Sequence, residues 1–173
     1  MNVVVFSDSH GRVRYIEQMM ARVSAGGGEP PSYVLFLGDG LADLGRTNAL
    51  LDECVVEVRG NCDVLNSADV PDVRVMGLGG YSALLLHGHT QGVKLGLANA
   101  IACAVRSEAD LLLFGHTHEP YAEVLTAGTT YMGIRIPKTL YVMNPGSLSL
   151  GSFGRIVLNN KGILMSFGNL FDT

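Results

Sequence analysis

All five histidines of this chain occur in short polar segments that directly follow apolar runs. The clearest case is Leu111 to His118, where four apolar residues lead into Gly-His-Thr-His. An apolar run of this length closed by glycine is typical of a buried strand in a parallel sheet. Residues just beyond such a strand lie at its carboxyl end, where open α/β sheets bind ligands. Imidazoles there could bind a metal ion or titrate near neutral pH, whereas a polar loop with neither role is the alternative.

Carboxylates and an amide follow other apolar runs in the same way. Five predicted strand ends carry potential ligands, namely Asp8, His10, Asp39, Asn61, His87, His89, His116 and His118. Packing alone does not explain why every imidazole falls in these loops. The pattern therefore predicts one site built from several strand ends.

The chemical types of these ligands narrow the choice of metal. They are oxygen and imidazole ligands, and the three cysteines form no CxxC pair. This set suits Mn²⁺, Fe²⁺, Zn²⁺ or Co²⁺, with Ni²⁺ as a further candidate, and disfavours a closed structural zinc site. Because the ligands other than His89 are too many for one tetrahedral ion, we expect two divalent ions about 3.5–4 Å apart, sharing a carboxylate. Such a pair supplies hydroxide at neutral pH and stabilises charge on phosphoryl oxygens.

The hydrophobic pattern predicts the elements that position these loops. In the first half of the chain, buried strands alternate with helices, and the last third is mostly β. The predicted strands are Asn2 to Phe6, Tyr33 to Leu37, Val55 to Val58 and Leu111 to Phe114, and the predicted helices are Arg12 to Val23, Leu41 to Asp52 and Gly92 to Arg106. Glycines 26 to 28 are expected to form a loop. Val73 to Leu86 and Phe153 to Phe167 are typical of hairpins. Three short extended runs are predicted between them, at Ala122 to Leu125, Thr129 to Ile134 and Thr139 to Val142. Two sheets packed face to face, with helices outside, fit this order.

Composition limits the class of protein. The length of 173 residues fits one domain over residues 1–173, and 47% hydrophobic residues exclude disorder. A net charge of −4 without a basic tract disfavours nucleic-acid binding. The first residues lack the pattern of a signal peptide, and the apolar stretch Leu95 to Val105 is too short to span a membrane. With an odd number of cysteines, these features predict a protein of the reducing cytoplasm.

Five motifs carry a resemblance to the calcineurin-like metallophosphoesterases. In order they are Asp8-Ser9-His10, Gly38-Asp39, Gly60-Asn61-Cys62-Asp63, His87-Gly88-His89 and Gly115-His116-Thr117-His118. Their spacing resembles that of the small bacterial and archaeal phosphodiesterases of this superfamily, over roughly Val3 to Ser147. The resemblance implies a four-layer α/β/β/α sandwich of two mixed β-sheets flanked by helices. It implies that one ion is held by Asp8, His10, Asp39 and His118. It implies that the other ion is held by Asp39, Asn61, His87 and His116. Mn²⁺ is the metal expected most often for both ions.

The resemblance implies hydrolysis of a small phosphate ester, more a diester than a monoester, by a hydroxide that bridges the two ions. Asp39 would be the bridging ligand. From the residues themselves, the backbone near Asn61 and the imidazole of His89 are the nearest candidates for contacting phosphoryl oxygens. The alternative is a non-catalytic protein-interaction scaffold of the same fold, like the retromer subunit, although every ligand position is filled here. A homo-oligomer, dimer or tetramer, is compatible with the sequence. The segment Ala127 to Lys138 is either an elaboration of the fold or a dimer contact.

Cys62 departs from the pattern of many metallophosphoesterases, which carry a histidine assigned to leaving-group protonation at this position. An ordinary thiol, with a pKa of about 8.5, is a poor substitute for imidazole as an acid. We therefore expect a preference for acidic leaving groups, as in aryl diesters; a buried packing role for Cys62 is the alternative. Asp63 is expected to bond a ligating imidazole or a nearby backbone group, or only to stabilise its turn. Residues 144–147, Asn-Pro-Gly-Ser, are expected to form a turn that brings the last hairpin beside the metal loops.

Overall fold

A computed structural model of the protein describes residues 1–26, 29–50, 54–64 and 69–172. Within these ranges the strands are β1 (Asn2–Phe6), β2 (Tyr33–Phe36), β3 (Val55–Glu57), β4 (Val73–Leu78), β5 (Tyr81–Leu86), β6 (Leu111–Phe114), β7 (Pro120–Leu125), β8 (Thr130–Tyr131), β9 (Ile134–Arg135), β10 (Leu140–Pro145), β11 (Ser152–Asn159) and β12 (Gly162–Asn169). The α-helices are α1 (Val13–Ala25), α2 (Leu41–Leu44) and α3 (Ala98–Arg106). None of the helices in these ranges has the length and apolar character needed to cross a membrane.

The strands form two five-stranded mixed sheets and one small hairpin. The first sheet has the order β12-β11-β1-β2-β3, the second has the order β4-β5-β6-β10-β7, and β8 pairs with β9. Strands β1, β2 and β3 run parallel to one another, as do β5, β6 and β10. The remaining strands of the two sheets pair antiparallel with their neighbours. Each sheet therefore contains three neighbouring parallel strands whose carboxyl ends lie along one edge of that sheet.

Alternate residues of the central strands pack into different layers, as the period of two in a strand requires. In β1, Val3 and Val5 lie in the core between the sheets, whereas Val4 and Phe6 pack in a second core with α1. Strand β6 alternates in the same way between the inter-sheet core and a third core beneath α3. Three cores separate four layers, so the predicted α/β/β/α sandwich of two mixed sheets is confirmed.

The helix predicted over Gly92 to Arg106 is wrong in its first half, because α3 begins only at Ala98. Gly92 and Gly96 have φ angles of +65° and +142°. These left-handed values are open to glycine and interrupt a helix. The result is a loop of irregular backbone between β5 and α3, and this loop matters for the site below.

Two further predictions differ from the structure. The helix predicted over Leu41 to Asp52 is only the short α2, which ends at Leu44. Its last predicted residues, together with residues 27 and 28 of the glycine loop, lie outside the described residues. The extended run predicted over Thr129 to Ile134 is divided by a turn at Met132 and Gly133, which have φ angles of +46° and +82°. That turn creates the hairpin of β8 and β9.

Candidate metal centre

The candidate ligands follow the carboxyl ends of the parallel strands. Asp8 comes after β1, Asp39 after β2, Asn61 after β3, His87 after β5 and His116 after β6. The structure brings six of the predicted ligands together in two groups, which are Asp8 with His10 and His118, and Asp39 with His87 and His116. Within each group, one ligand atom of every residue lies within 4.8 Å of the others. Both groups have the composition of a divalent-metal site.

The first group surrounds a buried carboxylate oxygen that lacks a hydrogen-bond donor. Asp8 is fully buried, and its Oδ2 accepts a hydrogen bond from the backbone N–H of His116, with a donor–acceptor distance of 3.1 Å. Its Oδ1 accepts no hydrogen bond from the described residues, although Nε2 of His118 is 3.0 Å away and Nε2 of His10 is 3.6 Å away. A buried carboxylate oxygen without a hydrogen-bond donor lowers the stability of the folded state. A cation between these three side chains would satisfy it.

In the second group, the backbone selects the tautomer of His87. Its Nδ1 lies 2.7 Å from the carbonyl oxygen of Leu37, so Nδ1 carries the proton and donates it. Its Nε2 lies 3.4 Å from Oδ2 of Asp39, 3.2 Å from Oδ1 of Asn61 and 3.1 Å from Nδ1 of His116. Four side-chain atoms that carry lone pairs therefore lie together around Nε2 of His87. This is the donor arrangement that a second cation requires.

The electrostatics of the second group favour positive charge. Burial alone would raise the pKa of Asp39, but the imidazole of His87 and the backbone N–H of Cys62 outweigh burial and hold that pKa well below its usual value. Burial alone would lower the pKa of His87, but Asp39 and Asp8 raise it above the ordinary value. The negative potential that favours a proton on His87 equally favours a metal ion there.

His116 differs from His87 in its protonation. Burial lowers the pKa of His116, and the positive charges of His87 and Lys94 lower it further, to about 4. Its imidazole is therefore neutral near pH 7, which is the form that coordinates metals.

The backbone adopts left-handed angles at five of the candidate ligands. The φ angles are +56° at Asp8, +45° at His10, +61° at Asp39, +68° at His116 and +65° at His118. Aspartate and histidine tolerate this conformation better than most residues, but it still costs free energy relative to extended or helical backbone. The loops therefore hold strained residues where the ligands converge.

The Asp63 carboxylate ties together the loops that follow β2 and β3. Its Oδ2 accepts hydrogen bonds from the backbone N–H groups of Asp39 and Gly60, at 2.8 and 2.9 Å. Its Oδ1 accepts from the N–H groups of Gly40 and Leu41, at 2.8 and 2.9 Å. Backbone groups were one of the two kinds of partner expected for this residue. The carboxylate positions Asp39 and the short helix α2 together.

We expect Asp63→Asn to lower the free energy of unfolding by about 2–4 kcal/mol, because an amide NH₂ would face backbone N–H donors in a buried position. Chemical denaturation measures this change. The exposed Asp172→Asn is the matched control, with an expected change within about 0.5 kcal/mol. Equal stability of the two variants would contradict the role given to Asp63.

Two buried polar residues of the 144–147 segment hold the ligand loops by side-chain bonds that the sequence did not predict. Nδ2 of Asn144 donates to the carbonyl oxygen of Gly115 and to Oγ1 of Thr117, at 2.8 and 2.9 Å. Oγ of Ser147 donates to the carbonyl oxygen of Asp8, at 2.9 Å. The missed signal is that Asn144 lies near the end of a strand parallel to β6, at the same sheet edge.

Asp43 is a further residue that sequence reasoning missed. This buried carboxylate lies on α2, and its Oδ2 accepts hydrogen bonds from Oγ of Ser9 at 2.6 Å and from the N–H of Gly11 at 2.8 Å. It thereby fixes the loop that carries Asp8 and His10. Only the tertiary contact between α2 and this loop reveals the role.

Cys62 is exposed, so the alternative of a buried packing residue is wrong. Its backbone N–H donates to Oδ1 of Asp39 at 2.7 Å, and its Sγ groups with ligand atoms of His10 and Asp39 within 4.8 Å. Partial desolvation raises the pKa of the thiol, and the Asp39 carboxylate raises it further, to about 11. The thiol is therefore a weaker acid than its ordinary pKa suggests.

His89 lies beside the second group but belongs to neither candidate group among the described residues. Its ring centroid is 5.4 Å from that of His87 and 6.2 Å from that of His116. Burial lowers its pKa, and the positive charge of His87 lowers it further. Its Nδ1 is buried without a hydrogen-bond partner in the described part of the chain. A neutral imidazole with a free ring nitrogen is available to an added ligand.

The chain is similar to known proteins over nearly its whole length. A model of the calcineurin-like phosphoesterase superfamily domain matches residues 1–158. The chain is 30% identical over 173 residues to the probable metallophosphoesterase YsnB of Bacillus subtilis (strain 168), covering 96% of this chain and 90% of that protein.

Solved structures share the fold. A conserved Streptococcus pneumoniae TIGR4 protein, described as a predicted phosphoesterase, superposes with a TM-score of 0.72 at 24% identity, over 98% of this chain and 89% of that one. Vps29 of Entamoeba histolytica, in a crystal structure with Zn²⁺, superposes with a TM-score of 0.64 at 18% identity, over 98% and 99% of the two chains.

Proposed function

Because the chain belongs to the calcineurin-like phosphoesterase superfamily, we propose that it is a phosphodiesterase that depends on two divalent metal ions. The observation that carries this proposal is the pair of adjacent ligand groups, one around the unsatisfied Oδ1 of Asp8 and one around Nε2 of His87. Mn²⁺ is the ion that we expect first, as the resemblance to the small members of this superfamily implies, and the oxygen and imidazole donors can bind it.

The ligands divide between the two ions by their position. Asp8, His10 and His118 would hold the first ion, and Asn61, His87 and His116 would hold the second. Asp39 would bridge them, because its carboxylate groups with His10 and Cys62 on one side and with His87 and His116 on the other. Two ions bound in this way activate water and neutralise charge that develops on phosphoryl oxygens.

Asn61 and His89 are the residues proposed to contact the substrate phosphate. Nδ2 of Asn61 lies at the exposed side of the site, 3.3 Å from Sγ of Cys62. The neutral ring of His89 can donate one N–H to a phosphoryl oxygen while its other nitrogen accepts. Donors aimed at oxygens that gain charge lower the barrier of phosphoryl transfer.

The proposal is tested by metal analysis of the purified protein together with hydrolysis of a p-nitrophenyl phosphodiester. We expect turnover with added Mn²⁺, loss of turnover after chelation, and recovery when metal is restored. Absence of turnover with every divalent metal would refute the enzymatic function. The same assay with p-nitrophenyl phosphate compares diesters with monoesters, and faster hydrolysis of the monoester would refute the diester preference.

We expect Cys62→His to increase the rate on alkyl leaving groups relative to aryl leaving groups by about tenfold or more, because imidazole is a better acid near neutral pH than this thiol. The measurement is the ratio of kcat/KM for an alkyl and an aryl diester in both proteins. Cys62→Ser is the control, since a hydroxyl is also a poor acid and should leave the ratio low. An unchanged ratio in Cys62→His would count against the assignment.

The second candidate function is a protein-interaction scaffold without catalysis. The structural likeness to Vps29 is the observation that favours it. A scaffold has no need for two complete ligand groups with strained backbone, and this is why we prefer the enzyme. The chelation assay separates the two functions directly.

A further inference from the structure

A cavity of about 520 Å³ opens beside the loop that carries His116 and His118. Thr117, the residue between these two histidines, forms part of its wall. Most of the remaining wall is apolar or aromatic, formed by Val93, Leu97, Phe114, Tyr121 and Tyr131, and Lys94 and Glu119 are its charged residues. A cavity of this size with mostly apolar walls and a few polar groups suits one small organic group. The cavity lies next to the candidate metal centre.

The walls of this cavity are built on the same loops as the metal ligands. The backbone N–H of Val93 donates to the carbonyl oxygen of Gly88, within the His87-Gly88-His89 motif, at 3.2 Å. A Cβ added at Gly88 would lie 2.6 Å from a methyl group of Val93, so the two are in close contact. Phe114 ends β6 directly before Gly115-His116, and its ring lies 6.3 Å from that of Tyr121. A molecule held by the metal loops therefore has the cavity within immediate reach.

The segment Ala127 to Lys138 contributes Tyr131 to the wall of this cavity. It folds into the hairpin of β8 and β9, in which the N–H of Gly128 donates to the carbonyl oxygen of Ile136 at 2.8 Å. Ile136 is fully buried in the core beneath α3, which anchors the hairpin. Tyr131 lines the cavity from this hairpin, whereas its neighbour Met132 is 73% exposed. The hairpin of β8 and β9 thus positions the ring of Tyr131 beside the candidate active site.

All of the lining residues come from the segment between β5 and β9, on the side of the second sheet. Cys62, in contrast, follows β3 of the first sheet. Its position is the one that the family resemblance associates with the leaving group. A diester seated with its leaving group toward Cys62 can extend its other ester group to the side of the second sheet, where the cavity lies.

We propose that this cavity binds an aromatic ring on the ester group that stays on phosphorus, with Tyr131 as the main contact. This inference rests on the proposed phosphodiesterase function and names the part of the substrate that is recognised. A ring packed against Tyr131, Tyr121 and Phe114 gains aromatic contacts in addition to the burial of its surface. A monoester has no second ester group, so the cavity would serve diesters alone.

The test uses two substrates that share p-nitrophenolate as the leaving group, phenyl p-nitrophenyl phosphate and methyl p-nitrophenyl phosphate. We expect Tyr131→Ala to raise KM for the phenyl substrate about tenfold, with kcat and the methyl substrate unchanged. Tyr131→Phe retains the ring and should behave as the unaltered protein. Met132→Ala, on the same hairpin but exposed, is the control for disturbance of the hairpin.

A binding measurement separates this inference from the proposed function. Phenylphosphonate and methylphosphonate carry a stable carbon–phosphorus bond, and calorimetry of the Mn²⁺-loaded protein compares their affinities without turnover. We expect phenylphosphonate to bind about tenfold more tightly, and Tyr131→Ala to remove the difference. Leu97→Trp narrows the cavity without removing a wall, so it should lower the affinity for phenylphosphonate and leave that for methylphosphonate unchanged. This variant replaces Tyr131→Ala if Tyr131→Ala does not fold.

The outcomes are distinct. Hydrolysis of both diesters with no difference between Tyr131→Ala and the unaltered protein would overturn the cavity assignment and leave the phosphodiesterase in place. Failure to hydrolyse either diester would refute the enzyme, and the phosphonate affinities would still decide the cavity. Equal affinity of the two phosphonates in the unaltered protein would overturn the inference.

Discussion

Replacement of Asp39 by asparagine is expected to lower kcat/KM for a phosphodiester by on the order of a thousandfold, together with loss of bound metal. Asp39 is the carboxylate that groups with ligand atoms on both sides of the site. Its Oδ2 faces Nε2 of His87, and its Oδ1 faces the N–H of Cys62. An asparagine can keep the second contact through its oxygen. It loses the negative charge and one oxygen ligand, and its NH₂ group cannot bind a cation.

The fold should survive Asp39→Asn because the change preserves side-chain size and the backbone bonds of the loop. The N–H of Asp39 donates to Asp63, a contact that the substitution does not touch. Circular dichroism and a thermal unfolding curve test this, alongside metal content and steady-state kinetics. Asp172→Asn removes an exposed carboxylate outside both ligand groups and should retain full activity. Full activity of Asp39→Asn would refute the bridging assignment.

Gly60→Ala is expected to reduce activity by at least about a hundredfold and to lower the free energy of unfolding by about 3 kcal/mol. A Cβ at position 60 would lie 2.1 Å from Oδ1 of Asp39 and 2.3 Å from its backbone nitrogen. Neither atom can retreat easily, because the N–H of Asp39 donates to Asp63 and Oδ1 of Asp39 accepts from the N–H of Cys62. The added methyl group must therefore displace the proposed bridging ligand.

Gly45→Ala is the matched control for this variant. Gly45 has a φ angle of −74°, and a Cβ there would meet no atom within 4 Å. We expect unchanged activity and equal or slightly higher stability, because alanine reduces the freedom of the unfolded chain. Denaturation curves and kcat/KM of both variants provide the comparison. Equal behaviour of the two alanine variants would contradict the steric argument at Gly60.

The central strands and the ligand positions could be predicted because both follow from local pattern. Buried parallel strands are short apolar runs, and their carboxyl ends share an edge, so residues such as Asp8, Asp39 and His87 were expected to converge. The resemblance to a known family then supplied the four-layer architecture. These predictions needed no knowledge of how distant segments contact one another.

The remainder depended on long-range contacts and glycine conformations that periodicity does not report. The apolar stretch after Gly92 has helical character, yet the φ angles of Gly92 and Gly96 make its first part a loop and a cavity wall. The roles of Asp43 and Asn144 arise only when segments distant along the chain meet. Tyr131 lies in a segment for which the sequence offers only an elaboration of the fold or a dimer contact, and its place in the cavity wall depends on how its hairpin packs.

The left-handed backbone at five of the candidate ligands has a consequence for how sequences of this fold can change. Each such residue costs about 1 kcal/mol relative to glycine, so selection for stability and selection for chemistry oppose each other at these positions. If selection for metal binding were relaxed, substitutions to glycine or asparagine at Asp8, His10 or Asp39 would increase the stability of the fold. Under the proposed function, these residues are kept because glycine, which would relieve the strain, offers no side-chain atom to a metal ion.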